Sequence, residues 1–416
     1  MKEYNHIQKQ DKVVYKAILG EEQREREGLE LIPSENYVSR AVREANGSIF
    51  TNKYSEGYPG RRYYGGHKYT DIVEKIAIER ACKLFKAKFA NVQPHSGAPA
   101  NIIVYSALLN PGDTVLGMDL SHGGYLTHGH PVTFSAKIYN FVRYKMKNPE
   151  TGEIDYEQLR QTALKEKPKI ILAGFSAYSR ELDYKKFVEI GKEVGAVTMA
   201  DMSHIAGLIA GGAVKNPFDC GFDIITTTTH KTLRGPRAAM IFCKKEHASA
   251  IDKAIFPGLQ GGPHENTIAA IAVALKEAHT GEFRIYAEQI VKNAQALATS
   301  LAELGYTIVA GKTENHLLLV DLTSKKITGQ LAQDRLGAVG ITVNKNTIPH
   351  EPRSPFDPSG IRLGTPAVTT RGMKEDQLRQ IARFIDEAIA DPHAAPSLKK
   401  QVANFAQKFP LFQWSK

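Results

Sequence analysis

Apolar positions repeat every three or four residues between residues 71 and 86. Ile72, Ile76, Ala77, Ala81 and Leu84 share one face, which predicts a long amphipathic helix. Residues 11–31 predict a strongly charged helix, with the solvated run Glu21-Glu22-Gln23-Arg24-Glu25-Arg26-Glu27 and a short apolar face of Val13, Val14, Ala17, Ile18 and Leu19. Such an arm often packs on a partner subunit. Pro33 ends it, and Ser34 or Asn36 is expected to cap a second short helix holding Val38, Ala41, Val42 and Ala45. Apolar or β-branched runs at 113–118, 137–143, 169–173, 196–200, 223–229 and 238–243 read as strands alternating with helical patterns. This alternation predicts an α/β fold with a mainly parallel sheet covered by helices. Residues 263–278 read as a further long helix. Past Thr280-Gly281 come a helix (285–304), short strands (307–310, 317–322), a helix (330–336), a strand (341–344) and a helix (374–390). The expected organisation is an N-terminal helical arm (1–50), a large domain (51–280) and a smaller α+β C-terminal domain (281–416).

A chain of 416 residues, 42% hydrophobic, has material for two or three domains and large cores. No run approaches the roughly 20 apolar residues of a membrane span. The start, Met1-Lys2-Glu3-Tyr4-Asn5-His6, lacks an apolar signal region, so a cytoplasmic protein is expected. Cys82, Cys220 and Cys243 show neither metal spacing nor a disulfide framework and are expected to be small core residues. The net charge of +10 comes from bases interleaved with acids rather than from a basic tail. It suits attraction of anionic small molecules better than nucleic-acid binding. His122, His128 and His130 match no common metal-ligand spacing, so structural or pocket roles are expected and no metal.

The run Thr226-Thr227-Thr228-Thr229-His230-Lys231 carries the first chemical signal. It reads as a strand that needs polar partners for its threonines and ends at a lysine before the turn Gly235-Pro236. A lysine at a strand end of an open α/β sheet is either a surface lysine or, if partly desolvated, a nucleophile toward carbonyls. Asp201 ends another strand and either caps the next helix or holds a pyridine nitrogen protonated. The small-residue turn Ser96-Gly97-Ala98-Pro99 opens a helix, a ready anion site. Residues 51–66 form a loop with four tyrosines, two arginines and a glutamate, a richer set than a connector needs. Lysine, aspartate and phosphate turn together point to pyridoxal phosphate, with Lys231 carrying it as an imine.

With these residues in view, the chain closely resembles the serine hydroxymethyltransferase family. The matching motifs include Leu31-Ile32-Pro33-Ser34-Glu35-Asn36, Asn52-Lys53-Tyr54-Ser55-Glu56-Gly57-Tyr58-Pro59-Gly60, Tyr63-Tyr64-Gly65-Gly66, Val92-Gln93-Pro94-His95-Ser96-Gly97 and His122-Gly123-Gly124. They continue through Leu126-Thr127-His128-Gly129, Gly174-Phe175-Ser176-Ala177-Tyr178, residues 201–207 and 226–231, Phe256-Pro257-Gly258, Gln260-Gly261-Gly262-Pro263 and Ser359-Gly360-Ile361-Arg362-Leu363-Gly364-Thr365-Pro366. The resemblance covers nearly the whole chain. It implies a pyridoxal-phosphate transferase of fold type I, with a seven-stranded sheet in the large, cofactor-binding domain. The implied reaction is reversible transfer of the hydroxymethyl carbon of L-serine to tetrahydrofolate, giving glycine and 5,10-methylenetetrahydrofolate, in a homodimer or higher oligomer with shared sites.

Residue by residue, the resemblance implies that Lys231 bonds the cofactor, Asp201 pairs with its ring nitrogen, and Ser176 and His204 lie near its ring hydroxyl. Ser96, Gly97, Ala98 and His230 belong to the phosphate side, joined by Tyr54 and Gly262 from the other subunit. Arg362 grips the substrate carboxylate with Ser34 and Tyr64 nearby, and Glu56 is the proton-transfer group near the serine hydroxyl and the folate. Tyr63, Leu120, Gly124, Tyr125, Leu126, Asn346, Ser354, Pro355 and Phe356 line the folate pocket. The chain departs from the family pattern at Ala98, often serine, and at Tyr125, usually a histidine that stacks on the cofactor ring. Pro33 and Tyr37 replace the more usual Ala and Phe. Two rival readings are a folate-independent aldolase or α-methylserine hydroxymethyltransferase of the same fold, and a non-catalytic copy that binds a partner or RNA. Glu56, Tyr63 and Asn346 argue against the first, and Lys231, Asp201 and Arg362 against the second.

Overall fold

Seven strands build the central sheet: β1 (Phe89–Asn91), β2 (Thr114–Met118), β3 (Asn140–Tyr144), β4 (Ile170–Gly174), β5 (Val197–Asp201), β6 (Ile224–Thr228) and β7 (Ala239–Cys243). The structure, a computed structural model, describes residues 4–391, 393 and 395–411. The ends of the first and last expected domains, 1–3 and 412–416, lie outside the described residues. The sheet order is β1-β7-β6-β5-β4-β2-β3. Strands β2 to β6 run parallel, and β7 is antiparallel to both of its neighbours. Successive side chains point to opposite faces. Leu116, Ile171, Ala200, Ile225 and Phe242 therefore join one core, and Val115, Ile170, Met199, Ile224 and Ile241 the other. Helices cover both faces, so β4, β6 and β7 are buried at every position.

The polar half of β6 finds the partners it needs. Thr226 Oγ1 donates to Asn101 Oδ1 at 2.6 Å, Thr227 Oγ1 to Thr228 O at 2.9 Å, and Thr229 Oγ1 to Pro236 O at 2.5 Å. Thr228 N donates to Ser203 Oγ at 3.0 Å. The last of these bonds ties β6 to the loop after β5, where a site forms.

A second, antiparallel sheet contains β8 (Thr307–Ile308), β9 (Leu317–Asp321), β10 (Asn344–Asn346) and β11 (Gly360–Gly364), in the order β8-β9-β11-β10. It has its own core with the helices Gly281–Glu303 and Glu375–Ala390. Arg371 is 1% exposed, and its guanidinium donates to the carbonyls of Glu25, Arg26, Gly28, Ala406 and Phe409. These carbonyls lie at or just past the C-terminal ends of the helices Lys12–Glu27 and Ala395–Ala406, where unpaired C=O groups and the helix dipole both favour a cation. One arginine thus ties the N-terminal and C-terminal segments to the smaller core.

Several expected boundaries are corrected. The first charged helix stops at Glu27, and Leu29–Glu30 is a strand pairing in parallel with Ile341–Thr342. Leu29 and Leu31 are buried in the smaller core, so they are not part of a free arm. The next helix is Arg40–Asn46, capped by Ser39 and not by Ser34 or Asn36. Asn36 instead donates to Lys231 O at 2.9 Å and to Tyr286 Oη at 2.7 Å. The tyrosine-rich loop contains a small hairpin, Gly57–Tyr58 with Arg61–Arg62. The run at 137–143 is split between a short helix, Phe134–Ile138, and β3, because the Thr133 side chain caps one helical turn first. Cys243 is buried, while Cys82 and Cys220 are half-buried against the larger core. Among the described residues, no helix is long and apolar enough to cross a membrane.

Candidate active site

Parallel strands deliver their C-terminal ends to one edge of the sheet, and polar loops there are free of ladder constraints. Segments following β2, β4, β5 and β6 line one cleft of about 520 Å³. Leu120, Tyr125 and Leu126 follow β2, Ser176 follows β4, Asp201 ends β5 with Ser203 and His204 just after it, and His230 and Lys231 follow β6. Ser96, Gly97 and Ala98 enter from the start of the helix Gly97–Leu108, and Ser34 from the N-terminal segment.

Lys231 is nine-tenths buried. Burial pushes its amine down to about 7; Asp201 opposes this, while Arg362 and Arg237 add to it. Its Nζ lies 5.1 Å from the centroid of the Tyr125 ring. Tyr125 is held neutral by burial, with the Asp201 charge acting in the same direction. Its hydroxyl accepts the backbone N–H of His204 at 3.1 Å, which fixes the ring across the cleft.

Burial alone would raise the Asp201 carboxyl, but His128, Lys231 and Asn101 outweigh it and hold it below the usual carboxylate range. Asn101 Nδ2 donates to Asp201 Oδ2 at 2.8 Å, Ser203 N donates to Oδ1 at 3.0 Å, and His128 Nε2 stands 3.6 Å away. The site therefore holds a permanent anion and a readily deprotonated amine side by side.

The opposite end favours anions. The first amides of the helix Gly97–Leu108 have no intrahelical acceptor, and Ser96 makes no side-chain cap to them. A Cβ at Gly97 would stand 2.7 Å from Thr228 Cγ2, so only glycine lets this turn approach β6 so closely. Arg237 lies at the same end, and burial with Arg237 and Lys231 pushes His230 down to about 3.

Arg362 on β11 reaches toward this edge from the smaller sheet. Its Nη1 donates to Ser176 O at 2.6 Å and its Nε to Asn344 Oδ1 at 3.2 Å, while burial pushes it down to about 10. Ser176 Oγ donates in turn to Gly124 O at 2.9 Å.

Other expected residues gather elsewhere in the protomer. Tyr54 Oη donates to Glu56 Oε1 at 3.1 Å, and the Tyr54 and Tyr64 rings meet edge to face at 5.2 Å. A Cβ at Gly262 would stand 3.1 Å from the Tyr54 ring. Tyr63 is 73% exposed and packs edge-on against Phe256 at 5.3 Å. None of Tyr54, Glu56, Tyr63, Tyr64 and Gly262 lines the cleft. Nor do Gly124, Asn346, Ser354, Pro355 and Phe356. Asn346 ends β10 with its amide on Thr347 O at 2.7 Å, and Phe356 is 83% exposed.

Sequence reasoning gave His128 a structural or pocket role without naming Asp201 as its neighbour, and missed Asn101 and His316. Asn101 stands one helical turn after Gly97, a spacing that aims it at the same edge. His316 lies 3.0 Å from His204 Nδ1, and burial, with the Arg362 and Lys231 charges, keeps it neutral. Its fully buried position just before β9 is a tertiary fact without a local signature. Compared with known families, the chain matches the family model described as serine hydroxymethyltransferase over residues 7–385.

Proposed function

The chain belongs to the serine hydroxymethyltransferase family of pyridoxal-phosphate-dependent transferases, and from that membership we propose that it moves the hydroxymethyl carbon of L-serine to tetrahydrofolate, leaving glycine and 5,10-methylenetetrahydrofolate. The observation carrying this reading is the buried Lys231 amine beside ionised Asp201, beneath Tyr125 and close enough to feel the Arg362 charge.

These residues fit pyridoxal phosphate. The open amides at Gly97 and Ala98, with Ser96 and His230, suit its phosphate. The buried His230 Nδ1, without a protein partner, leaves a polar atom for a ligand at that end. Asp201 would keep a proton on the ring nitrogen, Tyr125 would cover the ring face, and His204 and Ser176 would stand by the ring hydroxyl. When bound, the cofactor supplies an electron sink for the charge left on Cα as the Cα–Cβ bond of serine breaks. Lys231, its amine kept readily neutral by burial, would be the residue that holds the cofactor. Arg362 takes the substrate carboxylate through a planar pair of N–H groups, with Ser34 and Tyr64 nearby. Glu56 moves the proton at the serine hydroxyl oxygen. Tetrahydrofolate lies against Tyr63, Leu120, Gly124, Leu126, Asn346 and the segment Ser354, Pro355 and Phe356.

The protein works as a cytoplasmic homodimer at least. Supporting this, Tyr54, Glu56, Tyr64 and Gly262 form one exposed-edge cluster outside the protomer's own cleft, as expected if they complete a second copy's site. We divide the chain into an arm (1–50), a cofactor domain (51–280) and a small domain (281–416); the two cores support a large and a small unit, with Leu29 and Leu31 joining the smaller core and Phe283, Tyr286, Ala287 and Ile290 the larger. The test is serine turnover with and without tetrahydrofolate, together with a visible spectrum. A bound-cofactor band that shifts when glycine and tetrahydrofolate are both added is expected. Equal turnover without folate would favour the aldolase reading.

A further inference from the structure

A group of buried charges beneath Glu56 has no part in the reaction as read above. Arg62 Nη2 pairs with Glu74 Oε2 at 2.5 Å and lies 3.6 Å from Glu265 Oε1, while its Nε pairs with Asp71 Oδ1 at 2.9 Å. Three carboxylates thus face one guanidinium. Burial raises Glu74, and raises Glu265 to about 7 with the Glu74 charge assisting. Glu74 and Glu265 are each 1% exposed. Replacing such a network by apolar side chains often leaves stability unchanged, so stability alone is a weak reason for it.

The contacts converge on one short segment. Arg62 Nη1 donates to Ser55 O at 2.9 Å and to Gly57 O at 3.0 Å. Gln93 Nε2 donates to Gly57 O at 3.0 Å and to Glu74 Oε1 at 2.7 Å. The fully buried Ser55 hydroxyl donates to Glu265 Oε1 at 2.6 Å. Ser55 and Gly57 are the two neighbours of Glu56, so the backbone is gripped on both sides of it. Glu265 opens the helix Glu265–Ala278, where the dipole favours a carboxylate, directly after the turn holding Gly261 and Gly262. A Cβ at Gly261 would lie 3.2 Å from Glu56 Oε1. The carboxylate of Glu265 therefore joins two segments that act together.

We propose that Glu265 is a positioning residue: through the Ser55 hydroxyl it sets the backbone at Glu56, and so the point from which Glu56 meets the serine hydroxyl. The inference rests on the reading of Glu56 as the proton-transfer group. Misplacing a reacting group by about 1 Å costs up to about 100-fold in rate.

The experiment compares Glu265→Leu, Glu265→Gln, Ser55→Ala and Glu56→Gln in the full-length, cofactor-loaded protein. Glu265→Leu should lower kcat roughly 10–100-fold with the serine KM within about twofold, because the carboxylate grip of Arg362 is untouched. Glu265→Gln keeps an acceptor for Ser55 and should restore most of kcat. Ser55→Ala removes the same bond from the other side and should reproduce the loss even if Glu265→Leu fails to fold. In cofactor-free protein, amide exchange over residues 53–58 should quicken in Glu265→Leu and return in Glu265→Gln. Wild-type kcat in both Glu265→Leu and Ser55→Ala, beside an inactive Glu56→Gln, overturns the positioning role while leaving the reaction reading intact. A Glu265→Leu loss that Gln does not restore also overturns it. A fully active Glu56→Gln overturns the reading of Glu56, and this inference with it.

Discussion

Lys231 should titrate near neutrality in the cofactor-free protein. Its amine is placed at about 7, chiefly by burial, with Asp201 opposing and Arg362 and Arg237 assisting. The neutral form is the nucleophile, so reactivity rises with pH and its midpoint marks the pKa. At pH 8 such an amine is about nine-tenths neutral and an ordinary lysine only about 0.4%, an advantage of roughly 200-fold before allowing for the lower nucleophilicity of a weaker base. The perturbation is Asp201→Asn, which removes the carboxylate that favours the ammonium while keeping its shape. The midpoint should then move to lower pH. The assay is trace labelling of amines between pH 5.5 and 10, read peptide by peptide by mass spectrometry. Lys165, with a side chain 82% exposed, serves as the internal reference. A Lys231 midpoint near 10, or one that rises in Asp201→Asn, would refute the argument that burial and this charge pair set its reactivity.

Arg362→Lys should bind cofactor normally but lose serine binding severely, because an ammonium cannot hold Ser176 O and Asn344 Oδ1 and still offer paired donors; a near-normal serine KM would place the carboxylate elsewhere. Tyr125→His should stay active but gain an acidic limb in its pH–rate profile, since imidazole titrates near a pKa of about 6.5. Tyr125→Ala should release cofactor more readily and slow turnover, losing about 0.5–1.5 kcal/mol of ring stacking; unchanged retention and turnover would exclude stacking. Mixing inactive Lys231→Gln with inactive Glu56→Gln should restore partial activity in hybrid dimers, and no recovery despite measured subunit exchange would count against shared sites.

Local patterning determined the larger part of the architecture. Buried parallel strands need continuous apolar runs and amphipathic helices need a 3.6-residue period, so the alternation toward residue 243 was readable as an α/β sheet. Lys231 and Asp201 were legible because Asp201 ends such a strand and Lys231 comes just past the end of another. Strand ends lost definition where short-range chemistry competed, as at Thr133, whose cap starts a helical turn before β3. Residues 29–31 read as more helix because their strand exists only through pairing with Ile341–Thr342, more than 300 positions away. Asn101 against Asp201, His316 against His204 and Glu265 against Ser55 depend likewise on partners remote in sequence. Such pairs leave no periodic trace, because a single buried hydrogen bond constrains two side chains and neither one's neighbours. Tertiary structure alone therefore decided which polar residues back the site and which segment holds Glu56.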